Sequence, residues 1–427
     1  MILSGIIANG TCKLYKIADD TNQYKKMERT ISKKNKKSTI SSEQINESLI
    51  EKLGDKLNAV DHLYLIHDPS DIRKPYSEKT ENLGKVRDLN GNIINGFSTH
   101  NTIAVLPKDK SVHLVSHESY SNKDPKFLKA EIVKKLEQNK EFANKEEYTE
   151  LYESNQYINK KIITTSSLKA TSDSIKKYNS EINITHVLDR EFVDDEYFEY
   201  IQKQLKDKFI IRSKKSRCLL DKKDENNKAI KLIESNFKNK DKIKVEKFNF
   251  KIKVYQNAKI EISWDKYGDN HAIKINIKDR KDKDIFKDSM LLITNIKINN
   301  INDSYMVYLG YLKRSKIEYV FKFLKEGLGW EEMQLGDFEA IQNLLSLCFF
   351  VSSYLYEIGE EIVHDDYAII LADLGGGKGK VTRHYILEGI KQLMSKHRVD
   401  RILEKHKPSE QTINNMNEAA GLTLCID

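Results

Sequence analysis

Three strand-like runs within residues 60–120 set the strongest limit on how this chain folds. They are 62–68 (HLYLIHD), 94–106 (INGFSTHNTIAVL) and 111–119 (SVHLVSHES). Asn90-Gly91 and Asn95-Gly96 give turn signals between the first two, and residues 107–110 make a turn before the third. A long helical stretch is expected over 125–160, interrupted near Asn144. It is followed by an apolar run, Val187-Leu188, ending on Asp189, a helix-like stretch from Asp194 to Lys206, and a short strand from Phe209 to Arg212. Three strands, helix, strand, helix, strand, helix is an order that only a mixed α/β architecture satisfies.

Two of these strands end on acids. Leu63 to Ile66 leads into His67-Asp68 and then Pro69-Ser70-Asp71, while Val187-Leu188 leads into Asp189-Arg190-Glu191-Phe192. A third acid lies on a predicted helix, Tyr311 to Lys325 (YLKRSKIEYVFKFLK). At about 100° per residue, Tyr311, Arg314, Glu318 and Lys325 share a sector roughly 60° wide. Ile317, Val320, Phe321, Leu324 and Leu328 occupy the neighbouring sector and give the helix a face to bury. One acid flanked by cations on a single stripe suits a site where a carboxylate holds a metal and cations hold phosphates. A solvated face with i,i+3 and i,i+4 charge pairs would produce the same spacing.

Taken together, DPSDIRKPY from Asp68, DREF from Asp189 and the spacing Y-(2)-R-(3)-E-(6)-K resemble the signature of DDE transposases of the insertion-sequence-four family. The likeness runs over about residues 60–350 and more faintly beyond. It implies a ribonuclease H-like α/β catalytic domain in which Asp68, Asp189 and Glu318 hold two Mg²⁺ (or Mn²⁺) ions. It also implies that Tyr311, Arg314 and Lys325 contact DNA. The expected partner is double-stranded DNA carrying the terminal inverted repeats of an insertion element, bound by a homodimer that cuts and pastes it. A non-cleaving DNA-binding relative that inhibits transposition is the alternative, and a structure-selective nuclease would share the acids without the Tyr/Arg/Lys stripe. Asp71 is expected to orient Arg73 and to hold no metal; Arg190 is expected to be structural or to touch the DNA backbone.

The implied organisation has three parts. Residues 1–58 are a helical, lysine-rich N-terminal region, with Leu3, Ile6 and Ile7 on one short helix and Thr11 capping a second that carries Leu14 and Ile17. With the basic run Lys33 to Lys37 this region reads as a small DNA-binding module, whole or shortened, or as a helical spacer. Residues 59–350 form the catalytic domain, with a β-rich insertion at about 218–303, where runs such as KVEKFNFKIKVY and AIKINIKD alternate apolar and charged residues. Trp264 on one of these runs is read as a packing residue. Residues 351–427 read as helical, and Gly375 to Lys380 reads as a turn, since Val381 stands where a P-loop needs Ser or Thr.

The composition fits a polyanionic partner. Lys and Arg number 72 against 64 Asp and Glu, a net charge of +8. Cys12, Cys218, Cys348 and Cys425 are scattered without a C-x-x-C pair, as expected of a reducing cytosol. The family resemblance implies a bacterial cytoplasm, near the nucleoid. The run Leu344 to Leu355 is apolar but short for a bilayer, so a buried helix and no membrane contact are expected.

Overall fold

A computed structural model describes residues 2–18, 21–32, 40–107, 111–124, 127, 159–223, 229–250, 253–361 and 366–419. The basic run at 33–37, most of the helix expected over 125–160, and Cys425 lie outside these residues. The lead folds as α1 (Ile2–Asn9), α2 (Leu14–Ile17), α3 (Thr21–Ile31) and α4 (Ser42–Asn58). Gly10, at φ +56°, closes α1. Thr11 does not cap α2: its hydroxyl accepts from the Lys13 amide, and Lys13 itself precedes the helix without a side-chain cap. A capping box at α4 is formed by Ser41 and Gln44, each side chain bonded to the other's backbone amide.

The sheet begins with β1 (His62–Arg73), β2 (Gly84–Arg87), β3 (Ile93–Val105) and β4 (Val112–Tyr120). β3 is antiparallel to β1, β2 and β4. After α5 (Lys160–Tyr178), β5 (Asn183–Leu188) lies parallel to β1 on its other side. α6 (Asp195–Glu199) then passes through a wider π turn to β6 (Lys208–Arg212), parallel to β5. The expected alternating strands of the insertion are present, but they do not stand apart from the sheet. β7 (Cys218–Lys223) and β8 (Ala229–Lys231) pair with each other. β9 (Asn239–Phe250), β10 (Lys253–Tyr267), β11 (Asn270–Lys278) and β12 (Met290–Thr294) form an antiparallel series that joins the main sheet where β12 pairs with β6. The result is a 10-stranded mixed sheet. Alternate residues of β10, among them Ala258, Ile260, Ile262 and Trp264, are buried, so the period-two pattern is the packing pattern. Trp264 packs within the main core cluster.

Helices follow at the C-terminal side: α7 (Ile301–Leu312), α8 (Ser315–Lys322), α9 (Phe338–Glu361), α10 (Asp366–Leu374), α11 (Arg383–His406) and α12 (Glu410–Ala419). The apolar run at 344–355 lies inside the longer α9, whose stretch Phe338–Ile358 has the length and composition to cross a bilayer. Its apolar window is 78% buried against the rest of the molecule, which makes it a core helix. Gly375 to Lys380 does make the turn between α10 and α11, with Asp373 accepting from the Gly379 amide.

The core crosses the boundary expected at residue 58. Ile2, Ile6, Leu14, Ile17, Met27, Ile31, Ile45 and Leu49 share one apolar cluster with Ile66, Ile317 and Leu344. Ile50, Leu53 and Leu57 of α4 share another with Leu63, Leu65 and Ile175.

Candidate active site

Strand alternation decides which side of the sheet each acid meets. On β1, Leu63 and Leu65 point into the cluster formed with α4 and α5, while Tyr64 and Ile66 point into the cluster that contains Tyr311, Ile317 and Val320. Asp68 follows Tyr64 and Ile66 onto that second face. In the parallel pair, Ile66 lies opposite Val187. Asp68 and Asp189 each sit two residues further on, so they leave the same end of the pair.

The helices supply the rest. The amides of Lys313 and Arg314 bond back to Gly310 and Tyr311 at 3.2 and 2.9 Å, tightening the chain between α7 and α8. This turn carries Arg314 over the sheet, where its Nη2 lies 2.9 and 3.0 Å from the two Asp68 oxygens and 3.5 Å from Asp189 Oδ2. Nη1 donates to Glu318 Oε1 at 2.6 Å. The Tyr311 hydroxyl donates to Asp189 Oδ1 at 3.1 Å. The structure therefore gathers Asp68, Asp189, Glu318, Tyr311 and Arg314 around one guanidinium. They span strands and helices about 250 residues apart in sequence.

Lys325 is placed differently. The helix expected to run unbroken from Tyr311 to Lys325 has the tight turn at 313–314 and a π turn at Phe323–Gly327. The stripe's last member is turned along β1: Lys325 Nζ donates to the Asp71 carbonyl at 2.8 Å and lies 3.4 Å from Glu331 Oε1. The buried face is as expected, with Ile317, Val320, Leu324 and Leu328 fully covered and Phe321 partly so. Arg73 is not oriented by Asp71. Its guanidinium forms a fork with Glu331 at 2.9 and 2.6 Å, while the Asp71 carboxylate accepts from Ser98. Glu331 was not legible as a partner, because no local motif links Gly329-Trp330-Glu331 to residues some 250 positions earlier. Arg190, with Arg212, Lys214 and Lys215, lines a cavity of about 710 Å³ beside Glu191.

Electrostatics single out Asp68. Burial pushes its carboxyl up to about 7; Arg314 opposes this, and the charges of Asp189 and Glu191 add to it. Burial also works against the charge on Arg314, but Asp68, Asp189 and Tyr311 outweigh it and the guanidinium is held more firmly charged. Burial, reinforced by Asp189, pushes the Tyr311 phenol up, so it stays a donor.

Among the described residues, no three His, Cys, Asp or Glu side chains already form a coordination shell for a metal. The donor set nevertheless suits a hard cation: three carboxylates already converge on one positive group, and burial makes Asp68 costly to ionise without a cation beside it. Asp68, Asp189 and Glu318 are thus the residues that would hold Mg²⁺ or Mn²⁺. Compared with models of protein families and with curated proteins, the chain gives no match.

Proposed function

We propose that the protein is a DDE transposase with a ribonuclease H-like catalytic domain, which binds the inverted repeats of its element as a homodimer and moves it by cut and paste. The observation that carries this reading is the meeting of Asp68, Asp189 and Glu318 at Arg314. The strand order supports it: β4-β3-β1-β5-β6, antiparallel among the first three and parallel among the last three, is the arrangement expected of that fold.

In this reading water attacks a DNA phosphodiester in line and the bond from phosphorus to the 3′ oxygen breaks. The freed 3′-hydroxyl then attacks a target phosphodiester, forming a new P–O bond as the target's P–O3′ bond breaks and its 3′-hydroxyl leaves. Divalent cations held by the three carboxylates would supply the activation of the attacking oxygen and the stabilisation of the leaving one. Arg314 would pair with a phosphate oxygen in the loaded site, for which its planar donors are suited. Tyr311 keeps Asp189 oriented and has a hydroxyl at the phosphate's edge. Lys325, fixed by the Asp71 carbonyl and Glu331, offers a positive charge about 10 Å further along β1.

One feature favours the non-cleaving alternative: Arg314 already contacts all three carboxylates and occupies the space between them. A duplex carrying the inverted repeats, incubated with Mg²⁺, separates the two readings. Cleavage and strand transfer by the parent, lost in Asp189→Asn while end binding persists, is expected. Tight end binding without any cleavage would establish the alternative, and equal cleavage by parent and Asp189→Asn would remove the proposed site.

A further inference from the structure

Directly behind the carboxylates, on the opposite face of the sheet, lies a chain of fully buried polar side chains that the reaction does not use. Thr102 Oγ1 is 2.9 Å from His67 Nδ1, His67 Nε2 is 2.9 Å from His186 Nδ1, and His186 Nε2 is 3.1 Å from Asp207 Oδ2. Asp207 also accepts from Ser172 at 2.6 Å and from Lys176 Nζ at 2.6 Å. Thr102, His67 and His186 are at most marginally exposed, and Asp207 is 5% exposed. The four groups come from β3, β1, β5 and the segment before β6. Thr102 lies directly opposite His67 across β1 and β3, and His186 lies opposite Leu65 across β1 and β5.

The direction of every bond follows from donor and acceptor chemistry. Burial works against the charge on Asp207, but the bonds from His186, Lys176 and Ser172 outweigh it and hold the carboxyl low, so it only accepts. His186 must then donate from Nε2. With Nε2–H committed to Asp207, the Nδ1 of His186 is assigned as the acceptor facing His67 Nε2. His67 donates from Nε2 and accepts at Nδ1, and the Thr102 hydroxyl closes the chain as donor. A slip of β1 against β5 by one residue would turn these groups to the other face and leave each of them buried without a partner.

We propose that Asp207, His186, His67 and Thr102 form a one-directional hydrogen-bond relay on the back of the sheet that holds β1 and β5 in register and so positions Asp68 beside Asp189. These are positioning residues. That the register serves metal-holding carboxylates rests on the transposase reading; that the relay sets the register does not.

The test uses the full chain labelled with ¹⁵N. In the parent, both His67 and His186 are expected as the Nε2–H tautomer. Asp207→Asn should mix the tautomers and speed amide exchange at Ile66 and Val187 about tenfold, the equivalent of one lost buried hydrogen bond. Mn²⁺ affinity, read by EPR, should fall by a similar factor. Thr102→Val keeps the side-chain shape should the first variant fail to fold; it is expected to move the His67 Nδ1 resonance to that of an unbonded nitrogen with the tautomer intact. An Nδ1–H tautomer at His67 in the parent, or an unmoved Nδ1 resonance in Thr102→Val, would overturn the relay. A parent that binds no Mn²⁺ would count against the metal-holding reading alone, with tautomers and exchange still judging the relay.

Discussion

Among the described residues, Asp68 and Glu118 are the carboxyls that burial pushes up to about 7, the first opposed by Arg314 and the second aggravated by Glu43. For both, the folded pKa lies above the unfolded one. The penalty is absent below about pH 4, grows as the pH rises to about 7, and is constant above that. The parent is therefore expected to lose stability between pH 5 and pH 8. Glu118→Gln, on β4 and outside the carboxylate site, should recover part of that loss, on the order of 2 kcal/mol at pH 8 and close to nothing at pH 4. Urea unfolding at the two pH values reads it; a gain of equal size at both would show that Glu118 is not held protonated. Arg314→Met should act in the opposite sense. It leaves Asp68 and Asp189 without their buried countercharge, a loss on the order of 3 kcal/mol at pH 8 that shrinks at pH 5 as Asp68 takes a proton. Added Mg²⁺ should restore more stability to this variant than to the parent, measured as a larger rise in melting temperature.

Among the elements, the pairs that met the expectations from sequence are those whose signals are local. β1, β3, β4, β5 and β6 begin close to where apolar runs and turn residues put them. Asp189 follows β5 directly, but β1 runs on past Asp68 to Arg73, paired with β3, so Asp68 lies within its strand and not at its end. The helix around Glu318 was legible in its buried face but not in its continuity. A constant 100° per residue has no means of showing the tight turn at Lys313-Arg314 or the π turn at Phe323–Gly327, both of which depend on what the helix packs against. Lys325 therefore keeps its place in the spacing and changes its direction, and its partner Glu331 is a tertiary contact with no sequence signal. The α10–α11 pair shows the same limit. Its glycines suggest only a turn, whereas Gly389 lies so close to α10 that an added Cβ would be 1.9 Å from the Leu371 carbonyl oxygen, a backbone atom that cannot step aside. Gly389→Ala is expected to push these helices apart and destabilise the C-terminal region by about 2 kcal/mol, seen as faster amide exchange in α10 with β1 and β5 unaffected. Unchanged exchange in α10 would mean the two helices are not held at that spacing.

At the scale of the whole molecule, the transposase reading, with an excess of +8 charges and the basic cavity near Arg190, Arg212, Lys214 and Lys215, predicts an affinity for random duplex that falls steeply with salt in a titration, because each neutralised phosphate releases a counterion. The sharper question concerns residues 1–58. A separable DNA-binding module could be removed with loss of end preference and an intact fold. The packing argues otherwise. Ile6, Met27, Ile31, Leu49, Leu53 and Leu57 are almost completely buried, in clusters shared with β1, α8 and α9. Cys12 donates to the Gly329 carbonyl, Asn343 to the Ile31 carbonyl and Asn46 to the His117 carbonyl, so polar contacts as well as apolar ones tie the lead to the rest. Each of those side chains contributes about 1.5–3 kcal/mol through burial. Their sum reaches the whole net stability of an ordinary domain, about 5–15 kcal/mol. Deleting residues 1–58 is therefore expected to yield an aggregating chain without a cooperative melting transition. The milder substitutions Lys25→Gln, Lys26→Gln and Arg29→Gln on the outer face of α3 should lower binding to random and end-bearing duplex while leaving the melt unchanged. A truncated chain that still melts cooperatively near the parent's temperature would show that the lead is a module after all, its apolar contacts dispensable to the sheet.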